Sequence, residues 1–182
     1  MLVDWNEMST SENKKKLLVL MDWQPPAEWV FKHELDDVFI TDICYGNAPK
    51  SFQSQLEKIF GLWKSYVWTG VRGLFRAKKY DIVYAWHAVI GLVFAALCRF
   101  FRVGSVKIVI AQLIVPSKKE SFAQRAKLAF TRYALARVEL VIAYSSIEVE
   151  LFKQAYENGV TTFLFTPLGI ELPSAKEAKD DG

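Results

Sequence analysis

The chain has 182 residues, 52% of them hydrophobic and 24% charged, with a formal net charge of +3. That length and apolar content exclude disorder over most of the chain and support one domain with a sizeable core. Two cysteines, Cys44 and Cys98, exclude a disulfide framework or a zinc cluster, so no metal is expected.

Residues 1–15 and 173–182 are polar and read as disordered tails around a domain spanning 16–172. The opening "MLVDWNEMSTSENKKK" places acids before its lysines and has no apolar run, unlike a secretory leader, which predicts a cytoplasmic protein. "KKLLVLMDW", ending before Pro25 and Pro26, predicts a first buried strand, and "DDVFITDI" a second. From Phe52 to Arg76 the apolar residues Leu56, Ile59, Phe60, Trp63, Val67, Val71, Leu74 and Phe75 recur at helical spacing. This predicts one long amphipathic helix with that stripe toward the core, leaving Tyr66 and Trp68 off it and exposed. "YDIVYAW" reads as a third strand and "IGLVFAALCRFF" as a helix. "SVKIVIAQLIV" is a strand stopped by Pro116, and "SFAQRAKLAFTRYALAR" a helix with its basic residues outward. "VELVIAYS", "SIEVELFKQAYENG" and "TTFLFTP" complete the series as strand, helix and strand.

Strands that are apolar without alternation are covered on both faces. Their alternation with helices implies right-handed crossovers and a doubly wound, Rossmann-like parallel α/β sheet. One stretch competes with this reading. Residues 82–98 contain no charge and reach the lower limit for a membrane span. Trp86, His87 and Gly91 inside the stretch favour strand, turn and helix instead.

Parallel sheets bind ligands at the carboxyl ends of their strands. The candidates there are Asp22, Trp23, Trp86, His87, Gln112, Ser145, Ser146 and Gly169. "MDWQPPAEW" cannot form the tight glycine turn of a dinucleotide fingerprint, so no nucleotide cofactor is expected. His87 stands where a general base or a hydroxyl-binding group would sit, or is satisfied by backbone at the strand end. Gln112 interrupts an apolar strand, and a buried amide needs backbone or ligand partners. Ser145 and Ser146 precede Glu148 at capping-box spacing, which favours a helix cap over an anion site. No catalytic residue is singled out.

The charge is unevenly placed. Residues 1–49 carry nine acidic and four basic side chains, net −5; residues 50–137 carry three and sixteen, net +13; residues 138–182 carry eight and three, net −5. Within the basic block, Trp63 and Trp68 lie among Lys58, Lys64, Arg72, Arg76, Lys78 and Lys79. Aromatic and basic residues on one helix suit an anionic membrane surface. No RNA- or DNA-binding motif is present, so nucleic acid is not expected as a partner.

"KYDIVYAWHAVIGLVFAALCRF", a strand, "RVELVIAYSSIEVELFKQAYENGV" and "FLFTPLGIEL" together resemble the N-terminal domain of GT-B glycosyltransferases of the family 4, glycogen synthase-like, type. The resemblance covers about residues 80–172 and rests on the order of short motifs. These are Asp81 opening the third strand, a basic helix before a strand ending in serine (Arg137 to Ser146), and a Pro-x-Gly turn at Pro167, Gly169, Ile170 and Glu171. The chain departs from the family pattern at Tyr84, Trp86 and Gln112, where the family often has histidines, and lacks the glycine-rich loop after the first strand. The resemblance implies that Pro167 and Gly169 form a hinge to a donor-binding half expected to be absent from this chain, either truncated away or carried on a separate chain, and that His87, Gln112 and Ser145 face an acceptor. It implies the acceptor-side half of a sugar transferase acting on a lipid-linked or polysaccharide acceptor, peripheral at the inner face of a membrane. A non-catalytic Rossmann-like protein that binds an anionic membrane or a protein partner is the alternative. An apolar patch beside residues 167–172 is also expected, with Phe163 either in the core or facing the vacated hinge.

Overall fold

The computed structural model describes residues 14–26, 28–46, 54–113, 121–156 and 159–166. Residues 1–13 and 167–182, with Pro167 and Gly169 of the expected hinge, lie outside these. Six strands form one parallel sheet: β1 (Lys16–Met21), β2 (Ile40–Tyr45), β3 (Ile82–Ala85), β4 (Lys107–Ala111), β5 (Leu140–Ala143) and β6 (Thr162–Phe165). Their order is β2-β1-β3-β4-β5-β6. The helices are α1 (Val30–Val38), α2 (Gln55–Ala77), α3 (Ala88–Phe100), α4 (Phe122–Leu135) and α5 (Ser146–Tyr156). This is a Rossmann-like α/β fold, and the chain reverses direction across the sheet between β1 and β3, as in other doubly wound sheets.

Register follows the apolar pattern. Leu17 pairs with Ile82, Ile82 with Lys107, Val109 with Leu140 and Leu140 with Thr162. Leu18, Leu20, Val83, Ala85, Ile108, Ile110, Val141 and Ala143 point to one face, where α2 to α5 close the main core around Phe94 and Phe152. Leu17, Val19 and Met21 point to the other face, under Trp29 and Leu35 at α1. The two faces are therefore unequally covered among the described elements. Phe163 packs on the main core beside Phe152, at a ring separation of 6.1 Å, while its neighbours Leu164 and Phe165 are exposed.

The boundary between α1 and β2 differs from the sequence reading. Asp36 and Asp37 belong to α1, and β2 begins only at Ile40. Asp36 is held in the helix by Lys32, 2.5 Å away at i,i+4 spacing, and its carbonyl accepts from Lys14 Nζ at 2.7 Å. Residues 82–98 divide into β3, a turn at Trp86 and His87, and α3, and no helix among the described residues is long and apolar enough to cross a membrane. Asp81, at the entry to β3, accepts from the backbone of Lys16 at 2.8 Å, and so ties the start of β1 to the start of β3. Arg137 donates to the carbonyls of Val103 and Val106, closing the loop between α3 and β4.

Candidate functional site: a polar cleft at the strand ends

A cleft of about 450 Å³ opens at the carboxyl ends of the central strands, lined by Asp22, Trp23, Trp86, His87, Gln112 and Glu148 among others. Each strand delivers its residue by continuing one step past its end. Trp86 N donates to Leu20 O at 3.0 Å, and Gln112 N donates to Ile142 O at 2.9 Å. The sequence candidates Asp22, Trp23, Trp86, His87 and Gln112 are thus brought together beside the point where the strand order reverses.

His87 caps α3: its Nδ1 accepts from Val89 N at 3.3 Å. Its ring stacks on Tyr66 at 4.7 Å and 23°. Because Nδ1 accepts, the neutral ring carries its proton on Nε2 and offers a donor there. A general base would need that lone pair free, so the geometry fits hydroxyl binding. Gln112 corrects the sequence reading. It lies beyond β4, exposed, with φ of 54°, so it is not a buried amide in a strand. The left-handed backbone ends the strand and turns the side chain to the cleft rim. Ser145 does not line the cleft. Its Oγ accepts from Ile147 N at 3.2 Å, and Glu148 reaches back to accept from Tyr144 N at 3.1 Å.

Glu148 and Tyr66 were missed as site residues. Capping-box spacing explained Glu148 fully, and only the crossover from β5 into α5 brings it to the cleft. Tyr66 was expected on the exposed side of α2 but packs partly buried on the main core. Burial pushes its hydroxyl up, and the charge of Asp22 adds to this. The cleft therefore holds two carboxylates, an imidazole donor and an amide. That set suits the hydroxyls of a neutral ligand and repels an anion. No group of potential metal ligands occurs among the described residues.

Helix α2 is rotated from the expected orientation: Leu74 of the stripe and Tyr66 beside it pack on the main core, while Trp68 is exposed as expected. Its packed arc is Ser65, Thr69, Gly70, Gly73 and Ala77. A Cβ at Gly70 would stand 3.0 Å from Val93 Cγ1, and one at Gly73 3.0 Å from Leu20 Cδ2. Small residues let α2 press on α3 and β1, and this close approach selects the face. The larger apolar side chains Ile59, Phe60, Trp63, Val67, Trp68 and Phe75 face outward, Phe60 73% and Phe75 80% exposed. Lys58, Lys64, Arg72, Lys78 and Lys79 are exposed with them. Arg76 is not part of this surface. It turns toward β2, donating to Ile43 O at 3.3 Å and to Tyr80 Oη at 3.2 Å, beside Asp42 at 3.5 Å.

No protein-family model matches the chain, and no curated protein matches it. Among solved structures, Anabaena Alr3699/HepE in complex with UDP and glucose is 18% identical, with a TM-score of 0.46, over 83% of this chain and 44% of that one. The same Anabaena protein in complex with UDP is 18% identical, with a TM-score of 0.45, over 82% and 43%. The chain spans less than half the length of these solved structures.

Proposed function

We propose that this chain is the acceptor-side part of a GT-B-type sugar transferase, docked on an anionic membrane through α2. Transfer from a nucleotide sugar would take place together with a donor-binding half. The carrying observation is the polar cleft at the strand reversal, whose donors and carboxylates fit sugar hydroxyls and whose net charge disfavours a phosphate. The sequence resemblance over residues 80–172 points the same way. The outward apolar arc of α2, with Lys64 and Arg72 beside it, supplies the docking surface.

Flotation of the purified chain with phosphatidylglycerol vesicles tests the docking part. Binding should weaken between low and physiological salt, as the Debye length falls from about 30 Å to about 8 Å. The double substitution Lys64→Glu and Arg72→Glu should abolish it, whereas Arg76→Glu should act through stability instead. Equal flotation with phosphatidylcholine would sink the electrostatic reading. The exposed arc by itself also favours the second reading, a non-catalytic membrane-binding protein. Titration of glucose into the chain separates the two: shifts at the His87 and Gln112 resonances belong to the acceptor-side reading, and their absence to the second.

A further inference from the structure

An apolar cleft of about 490 Å³ lies across α3, between α2 and α4, walled by Trp63, Leu92, Leu113, Ala126 and Phe130 among others. Leu113 lines this cleft and the polar one alike. Ala88 borders the polar cleft and its neighbour Val89 the apolar one, so the start of α3 forms a second shared wall. Trp63 belongs at once to the apolar cleft and to the exposed arc of α2. The two clefts therefore adjoin at Leu113 and the start of α3, and the outer one reaches the outward face of α2 at Trp63.

We propose that the two clefts are one site for a glycolipid, with its sugar head among Asp22, His87, Gln112 and Glu148 and its hydrocarbon chain between α2 and α4. The proposal rests on the acceptor-side reading and narrows its acceptor to a lipid-linked one. Three observations select this occupant. The inner cleft carries two carboxylates, which favour an uncharged hydroxylated head over a free phosphate. Among the described residues, the outer cleft is walled by apolar side chains apart from Lys127 and Thr131, which rewards a chain of methylenes. Lys127 is exposed at that cleft, where its ammonium suits the anionic surface that α2 faces. A polysaccharide would use the polar cleft and leave the apolar one empty.

The test uses the full chain and n-octyl β-D-glucoside below its micelle concentration, with glucose and 1-octanol as the separated halves. Binding is followed by amide and indole N–H shifts in NMR. Octyl glucoside should bind about tenfold or more tightly than either half, since its chain and head are bound together. It should move the Leu113 amide and the indoles of Trp63 and Trp86 together. Ala126 is exposed, so Ala126→Trp should fill the outer cleft without unfolding the chain, and should weaken octyl glucoside to the level of glucose. Gln112→Gly removes the amide at a position whose φ suits glycine, and should bring octyl glucoside down toward octanol. Octyl glucoside binding no tighter than octanol or than glucose would overturn the proposal, as would indifference to Ala126→Trp. The probe is monomeric and uncharged, so Lys64→Glu with Arg72→Glu should leave its binding intact. In the parent chain, no flotation with phosphatidylglycerol vesicles but tight glucoside binding would end the docking reading alone, and flotation with glucoside bound no tighter than its halves would end this one alone.

Discussion

His87 joins three elements through one side chain: it caps α3, stacks on Tyr66 of α2 and lines the cleft beyond β3. Removing a cap costs about 1 kcal/mol, and an aromatic stack adds about 0.5–1.5. His87→Ala should therefore lower the urea unfolding free energy by about 1.5–2.5 kcal/mol, and His87→Asn, which can still cap, should recover about 1 of that. Equal loss in both variants would show that the cap is not the bond that matters. Cys98 gives a pH dependence. Burial pushes its thiol up to about 11 from 9.0, against the pull of Arg137. The folded chain thus holds the proton that the unfolded chain releases near pH 9. Stability should be whole below that pH and fall as pH rises toward 11, by about 1.4 kcal/mol per unit for this group. Tyr84, pushed up by burial and by Tyr144, acts in the same direction at higher pH. Cys98→Ala should flatten the decline between pH 9 and 10 in urea midpoints; an unchanged slope would remove the thiol from the account. At this scale the sequence placed His87 just past β3, but read Gln112 as interrupting a strand that in fact ends at Ala111. It could not see that a left-handed backbone would take Gln112 out of the core, because no local motif marks that turn.

Among the elements, α3 and α2 show what apolar periodicity can and cannot tell. For α3, apolar nearly all round, the reading of a buried helix needed no choice of face. Gly91 allows its close seat: a Cβ there would stand 2.8 Å from Ala85 Cβ and 2.8 Å from Ile110 Cγ1. Overpacking of this kind costs about 1–3 kcal/mol, so Gly91→Ala should destabilise by that amount. Gly104→Ala, where nothing lies within 4 Å, should stay within about 0.5 kcal/mol of the parent. If the two variants unfold at the same urea concentration, α3 sits farther from the sheet than described. For α2 the period was legible and the direction was not. The large apolar residues marked an arc, of which Leu74 reaches the core, but the small ones flanking it, from Ser65 to Ala77, are what bring α2 close to α3 and β1. Size complementarity with a partner helix decides such a face, and a pattern of apolar against polar residues does not contain it.

At the scale of the molecule, the alternation of strands and helices made the parallel sheet legible, since only right-handed crossovers build it. The cleft was less so, because Glu148 meets Asp22 only after the chain has crossed the sheet several times. The apolar surface was least legible of all. Phe60, Trp68, Phe75, Phe100 and Phe122 are more than half exposed, while the core rests on Phe94 and Phe152. Large apolar side chains exposed along one helix, as Phe60, Trp68 and Phe75 are on α2, mark an interaction surface. Aromatic residues in this chain should therefore fall into two classes with opposite responses. Phe94→Ala empties a fully buried site and should cost about 3–5 kcal/mol. Phe60→Ser and Phe75→Ser remove side chains that are 73% and 80% exposed, and should change stability by no more than about 0.5 kcal/mol. The same two substitutions should raise solubility and, on the proposed docking, weaken flotation with phosphatidylglycerol vesicles, because they remove part of the surface that docking would use. Urea unfolding and flotation on one set of proteins read both responses. A loss of several kcal/mol in Phe75→Ser would place that ring inside a contact that stabilises the fold. Unchanged flotation in both serine variants would leave the basic residues as the whole of the membrane attraction and the aromatic arc without a part in it.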